Sequence, residues 1–380
     1  MKRLLCVVLS LCLLPTSVWA APTSSGPELE AASAVLMEKE TGTILYQQKP
    51  DEKLEPASVT KIMTLLLIFE ALDGGKLKKE DIVTVSANAA GMGGSQVYLK
   101  EGEQMTVGEL VKCITVVSGN DAAVAMAEHL AGTEGAFVNL MNQKAAQLGM
   151  TDTSFVNCTG LPAQGHLTTA RDIALMSREL ILNHPGIREY TTIWMDSIRE
   201  GTFGLTNTNR LIRFYPGATG LKTGSTDGAL YCMSATAERN GMELIAVVMK
   251  CPTSAKRFED VKAMLDYGFS AWSLSEVQPE TPLPPVDVLL GTLRQVQPRL
   301  SRPARLLLAA GENDALRTNV VLAQSVEAPV EQGQTIGTLE IFVGDELRES
   351  IPIEAAQEVP RLTFSGILRR MFRQLALAPQ

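Results

Sequence analysis

Histidine is scarce in this 380-residue chain, where His129, His166 and His184 are the whole complement. They lie far apart and without metal-ligand spacing, so there is little material for a zinc site, and neither a metal nor a cofactor is expected. Positive charge is also short. Against 42 acidic residues stand 34 lysines and arginines, a formal net charge of -8 that argues against a nucleic-acid partner. Cysteine is limited to six residues, two of them (Cys6 and Cys12) within the first twenty positions. An even set of Cys113, Cys158, Cys232 and Cys251 in an exported chain invites a disulfide framework. Yet the Asn240-Gly241 hairpin signal sets Cys232 opposite Met249 and leaves Cys251 diagonal to it, roughly 7 to 8 Å away and too far for easy bridging. Free thiols are expected. No internal repeat or low-complexity tract is present, and the apolar run Leu4 to Leu14 is too short to cross a bilayer.

What is present organises the chain. Residues 1–20, "MKRLLCVVLSLCLLPTSVWA", combine Lys2 and Arg3, an apolar run and a small-x-small site at Val18-Trp19-Ala20, the pattern of a secretory signal peptide. Its removal takes the formal net charge from -8 to -10. A hairpin is expected around Glu40-Thr41-Gly42, then a helix from about Ala57 to Leu72. Two further helices are expected on either side of Ser118-Gly119-Asn120, with Asp121 capping the second. Another is read over Thr169 to Leu182, and strands dominate Gly220 to Lys250, followed by a helix near Arg257 to Gly268. Helices inserted between an opening hairpin and closing strands predict an α+β domain with an antiparallel sheet over residues 21–275. Four prolines in residues 276–286, "EVQPETPLPPV", predict a stiff linker. Alternation around Gly344-Asp345 predicts a small all-β, sandwich-like domain over 287–358.

The chemistry starts at "PASVTKIMT", residues 56–64. On a helix, Ser58 and Lys61 share one face three residues apart, so the hydroxyl and the amine come within hydrogen-bonding reach. A neutral amine can take the proton of a serine that is otherwise a weak nucleophile. Bringing a lysine from about 10.4 to near 7 requires roughly 4 to 5 kcal/mol of differential environment, available from burial and a neighbouring cation. Alone, the pair also fits an ordinary helix start. Ser118-Gly119-Asn120 adds a second hydroxyl and an amide, and Lys222-Thr223-Gly224 adds a cation, a hydroxyl and a glycine that lets a ligand approach the backbone. Ser-x-x-Lys, Ser-x-Asn and Lys-Thr-Gly in this order make up the signature of serine β-lactamases and penicillin-binding proteins.

On these motifs, together with "AVLMEKETGTILYQ", "NCTGLPAQGHLTTARDIALMSREL" and "KRFEDVKAMLDYGF", the chain resembles the low-molecular-mass penicillin-binding proteins, serine D-alanyl-D-alanine carboxypeptidases that trim peptidoglycan. The resemblance implies a β-lactamase/transpeptidase-like catalytic domain. It also implies stem peptides ending in D-Ala-D-Ala as substrates and β-lactam antibiotics as covalent inhibitors. By the same resemblance Ser58 is the acylated nucleophile, Lys61 its base and Ser118 a proton relay. Asn120 holds a substrate amide, and Lys222 and Thr223 bind the terminal carboxylate. Gly224 lies alongside, and the N–H groups of Ser58 and Ser225 form the oxyanion site. Arg257 is assigned either to the carboxylate or to a solvated helix start.

Two other functions share parts of this pattern. A serine β-lactamase needs a base for deacylation, and "ELILN" from Glu179 to Asn183 superficially offers one. Glu179, however, continues the apolar periodicity of its helix as a surface position. A non-catalytic wall-binding protein finds no support, because every expected catalytic side chain is present. His166 lies in a loop without a nucleophile elbow and reads as structural. Finally, residues 359–380 place Phe364, Ile367, Leu368, Met371, Phe372 and Leu375 on one helical stripe beside arginines. This predicts an in-plane anchor on anionic lipid at the outer face of the cytoplasmic membrane.

Overall fold

The computed structural model describes residues 26–368. The proposed signal peptide, and the anchor residues beyond Leu368, lie outside the described residues.

The catalytic half is built on a five-stranded antiparallel sheet in the order Ile44–Gln48, Ser33–Glu38, Met242–Cys251, Leu230–Arg239, Ala218–Thr226. Its central strand, "MELIAVVMKC", reads as one apolar run because both faces are covered. Alternate residues divide between them. Val35, Ile245 and Val247 enter a core shared with the helices, whereas Leu36, Leu244 and Ala246 pack under the helix Ser254–Ala271 through Val261 and Leu265. Asn240 (φ 51°) and Gly241 (φ 79°) make the tight turn expected of them. The helices Lys61–Asp73, Val107–Val116, Asn120–Ala131 and Ala170–Asn183 lie between the opening hairpin and the closing strands, as the pattern predicts.

Four local features differ from expectation. Ser58 sits on a 3₁₀ turn, Ala57–Thr60, and the α-helix begins at Lys61, with Ala57 held at φ 49°. Gly119, not Asp121, holds the cap position of the second helix: the buried Asp121 carboxylate accepts Ala122 N within the first turn and also the N–H groups of Val97 and Leu99, and so pins that segment. A register shift between Tyr231 and Met233 places Tyr231 opposite Cys251, and Cys232 Sγ accepts from Lys250 N instead. All four cysteines are free and buried. The fourth difference lies at the junction of the two halves. The strand Trp272–Glu276 leaves the last helix and pairs with Arg305–Ala309, fastening the halves together before the proline-rich segment begins.

Beyond it, a four-stranded sheet (Pro298–Leu300, Glu346–Ala355, Thr335–Val343, Leu316–Leu322) and a three-stranded one (Gln295–Val296, Val286–Leu289, Ser325–Glu327) enclose a separate apolar core. Pairing continues past the expected end at Glu358: buried Val359 bridges Val330, and Arg361 bridges Gly291. A helical turn starts only at Phe364.

Candidate active site

The Ala57–Thr60 turn delivers Ser58 to the junction of the helical lobe and the edge strand Ala218–Thr226. Ser58 Oγ lies 3.0 Å from Lys61 Nζ, which also donates to Asn120 Oδ1 at 2.6 Å and to the Thr159 carbonyl at 2.8 Å. Lys61 is 0% exposed, and burial lowers its pKa from 10.5 to about 7. A neutral amine has two N–H donors and one lone pair. Two acceptors and one hydroxyl match that inventory and leave the lone pair for the serine.

Ser118 approaches from the next lobe, in the left-handed region at φ 65° and 4% exposed, with its Oγ unpartnered among the described residues. A non-glycine residue in that region is strained, and such strain concentrates at functional sites. Asn120 is fixed at both ends, by Lys61 and by an Nδ2 bond to Gly93 O at 2.7 Å.

The edge strand closes the third side. Gly224 has no room for a side chain, since a Cβ there would sit 2.8 Å from Ser58 N and 2.9 Å from Val59 N. Lys222 is 1% exposed and, among the described residues, donates only to the Thr223 carbonyl; burial, then the neighbouring Lys61 and Arg257, push its pKa well down. Thr223 Oγ1 donates to Thr208 Oγ1 at 2.8 Å, while Ser225 is exposed. Arg257 is not a solvated helix-start residue. It is 6% exposed, donates to the carbonyls of Gly224 (3.2 Å) and Cys232 (3.4 Å), and lies 4.8 Å from the Phe258 ring centroid.

Three contributors were missed from sequence: Thr159, Gly160 and Thr208. Asn157 Oδ1 accepts the N–H groups of Thr159 and Gly160, making a tight turn at "NCTG". Gly160 (φ 83°) passes so close that a Cβ would fall 1.8 Å from Ala57 O. The Asn-x-x-Gly spacing signals a turn, but nothing local says that it packs on the Ser58 turn. His166 buttresses the same turn. Val156 N donates to Nδ1, so Nε2 carries the hydrogen toward Thr60 Oγ1, and burial lowers the ring's pKa to about 4. It is a neutral structural residue.

Glu179 lies elsewhere, its carboxylate accepting from Asn183 and clustering with Glu70 and His184, whose donor atoms fall within 4.8 Å of one another. Each of the other two is engaged as well, Glu70 with Lys144 and His184 with Asp73.

Comparison with known proteins agrees with this geometry. Residues 20–253 match the D-alanyl-D-alanine carboxypeptidase family model, and residues 279–361 match the model for the C-terminal domain of penicillin-binding protein 5. The D-alanyl-D-alanine carboxypeptidase DacF of Bacillus subtilis is 43% identical, covering 90% of this chain and 89% of its own. DacC of Escherichia coli is 33% identical, over 93% and 90%. Among solved structures, penicillin-binding protein 5 of Haemophilus influenzae superposes with a TM-score of 0.76 at 28% identity, covering 89% of this chain and all of that one. Both halves match in chain order and the relatives align over about nine-tenths of the length, so the chain belongs to the D-alanyl-D-alanine carboxypeptidase family.

Proposed function

We propose that this protein removes the terminal D-alanine of peptidoglycan stem peptides through an acyl-enzyme on Ser58. The observation that carries the reading is the 3.0 Å approach of Ser58 Oγ to a fully buried Lys61 whose pKa is lowered to about 7. Neutral Lys61 takes the hydroxyl proton as Oγ attacks the penultimate carbonyl carbon. The developing oxyanion falls to the N–H groups of Ser58 and Ser225. Ser118 Oγ, without another partner among the described residues, relays the proton to the departing amine of D-alanine. Lys222, Thr223 and Arg257 hold its carboxylate, and the second N–H of Asn120 Nδ2 remains for a substrate carbonyl. Water then hydrolyses the ester.

A β-lactam, whose strained amide mimics the scissile bond, acylates the same serine and stays. Penicillin-binding protein D2 of Listeria monocytogenes, similar over 63% of this chain at 33% identity and a TM-score of 0.59, has been solved in an ampicillin-bound form. The test is mass detection of a stem pentapeptide ending in D-Ala-D-Ala after incubation with the mature protein. Loss of one alanine is expected, together with labelling of the wild type but not of Ser58→Ala by a tagged penicillin. Labelled Ser58→Ala would remove Ser58 from its role.

Two terminal segments support a reading of where the protein acts. We propose export by the leader, with removal near Ala20, and peripheral attachment to the membrane by the carboxyl-terminal segment. Among the described residues no helix is long and apolar enough to cross a membrane. Phe364, Ile367 and Leu368 are exposed, as an apolar stripe awaiting lipid would be. Because Leu362 N still bonds to Leu290 O, the informative truncation is after Leu362. It should retain penicillin acylation and move the protein from the membrane pellet to the soluble fraction; equal partitioning of both forms would defeat the anchor.

A further inference from the structure

At the end of the β domain from which the carboxyl-terminal segment departs, a short turn, Leu290-Gly291-Thr292-Leu293-Arg294, joins the strands Val286–Leu289 and Gln295–Val296. Its leucines would fold onto the core if there were room, and there is none. Gly291 is buried, and a Cβ in its place would fall 2.6 Å from Val288 Cγ1 and 2.9 Å from Val359 Cγ1. The space beneath the turn is filled, so Leu289, Leu290 and Leu293 stand outward, 54%, 48% and 45% exposed. Leu290 is also held at φ 59°, a left-handed conformation that is costly for a side-chain-bearing residue and that concentrates at functional positions. The turn is tied to the end of the domain: Thr292 N donates to Pro360 O, Gly291 bridges Arg361, and Leu362 N donates to Leu290 O at 2.8 Å. Two residues later begins the helical turn that carries exposed Phe364, Ile367 and Leu368. Six of the fourteen exposed large apolar side chains among the described residues thus sit on two adjoining segments, a concentration that marks an apolar contact surface. The surrounding charges suit an anionic partner. Arg294 is exposed and enters no ion pair among the described residues, Asp287 accepts from Gln295 Nε2, and Glu327 is paired with Arg361. Past Leu368 the sequence adds Arg369, Arg370 and Arg373 and no acid.

Resting on the proposed attachment by the carboxyl-terminal segment, we infer that the turn at residues 289–293 is a second lipid contact, its leucines entering the acyl boundary of the same anionic bilayer. Insertion of a turn is costly when it strips water from open backbone groups. Here the Leu289 carbonyl already accepts Ala328 N, the Leu290 carbonyl accepts Leu362 N, and Thr292 N is held by Pro360, so the main chain needs little water. One anchor leaves a body free to swivel about it; two contacts at one end fix its tilt. Because the strand Trp272–Glu276 fastens the β domain to the catalytic half, fixing the tilt of the first sets the height and facing of Ser58 above the bilayer.

The test uses the intact mature protein and vesicles of phosphatidylglycerol with phosphatidylcholine. In the Leu293→Trp variant, tryptophan emission should shift to the blue on vesicle addition and be quenched when the phosphatidylcholine carries brominated acyl chains; the wild type, with Trp194 and Trp272, supplies the baseline. The double variant Leu290→Asn/Leu293→Ser keeps the turn, since asparagine tolerates the left-handed backbone. It should bind the vesicles roughly 10- to 100-fold more weakly, the effect of withdrawing two half-exposed leucines from an apolar contact. That factor should persist at high salt, where the arginine contribution is screened, and penicillin acylation should be unchanged. An unquenched tryptophan, or wild-type partitioning of the double variant, would overturn the second contact; if truncation after Leu362 still releases the protein, the carboxyl-terminal reading stands. Dimerisation without vesicles that the double variant abolishes would assign the turn to a second copy and likewise overturn the lipid contact. Equal partitioning of the truncated and mature forms would remove the carboxyl-terminal reading and this inference with it.

Discussion

Lys61→Met should make the folded protein more stable at neutral pH while abolishing acylation. Met has nearly the length of lysine without the charge, and position 61 is fully buried. The ordinary pKa of 10.5 falls to about 7 in the fold. At 1.36 kcal/mol per unit, holding this lysine costs the native state about 4 to 5 kcal/mol at or below pH 7, relative to a neutral side chain. Methionine leaves the Thr159 carbonyl and Asn120 Oδ1 without the donor they now use, which at the low end of the range for each buried acceptor is a loss of about 2 to 3 kcal/mol for the two together. The net expectation is a gain of about 1 to 3 kcal/mol at pH 7.

The sign changes with pH. Between about 7 and 10.5 the unfolded chain binds one more proton at this site than the folded one, so wild-type stability from Lys61 rises with pH across that window. The advantage of methionine therefore shrinks and should vanish near pH 8.5 to 9, where the remaining penalty is about 2 to 3 kcal/mol, and reverse by pH 9.5. Guanidinium denaturation midpoints of both proteins at pH 6.5, 7.5, 8.5 and 9.5 measure this directly. A stability difference independent of pH, or a variant several kcal/mol less stable at pH 7, would show that Lys61 is charged and paired in the native state and would refute a neutral general base.

Penicillin acylation should rise with pH through about 7 as Lys61 loses its proton; a rate constant flat from pH 5.5 to 8.5 would contradict the assignment. Affinity for a peptide ending in a carboxylate should fall as pH rises, because burial lowers the Lys222 pKa in the empty site and an arriving anion raises it, so binding takes up a proton; pH-independent dissociation constants would exclude that coupling. Gly224→Ala should fold, yet its Cβ would press at 2.8 Å on Ser58 N and displace an oxyanion donor, reducing acylation by about 10² to 10³. A labelling rate within threefold of wild type would mean that the strand and the turn yield without consequence. Gly160→Ala, strained by φ 83° and meeting Ala57 O at 1.8 Å, should cost at least about 3 kcal/mol and lower the thermal midpoint by several degrees; an unchanged midpoint would show that the turn relaxes.

Local spacing made much of the fold legible. Asn240-Gly241 announced its hairpin, and the Ser118-Gly119-Asn120 break separated two helices as read. Ser58 and Lys61 could be paired because three residues of helical or 3₁₀ backbone put them on one face whichever form the turn takes. Features that depend on distant segments were invisible or misread. Asp121 has the look of a cap, but besides Ala122 N in its own first turn its carboxylate binds the distant Val97 and Leu99. Arg257 was ambiguous because its environment is the underside of a strand more than thirty residues earlier. The Trp272–Glu276 ladder could not be foreseen, since its partner Arg305–Ala309 lies beyond the prolines.

By itself the sequence determined the inventory and order of the chemistry: a hydroxyl three residues from an amine, a second hydroxyl with an amide, and a lysine followed by threonine and glycine, on elements whose periodicity could be read. Only the tertiary structure decided what those groups are. Lys61 is a buried amine with a lowered pKa rather than a surface cation because Thr159, Asn120 and the apolar core remove it from water, and desolvation exists only once the chain has closed around the amine. Ser118 is a hydroxyl unpartnered among the described residues, at a strained backbone position, only because neighbouring lobes hold it there. Spacing along a chain fixes which groups can meet; burial, which depends on every other segment, sets their protonation and therefore what they can do.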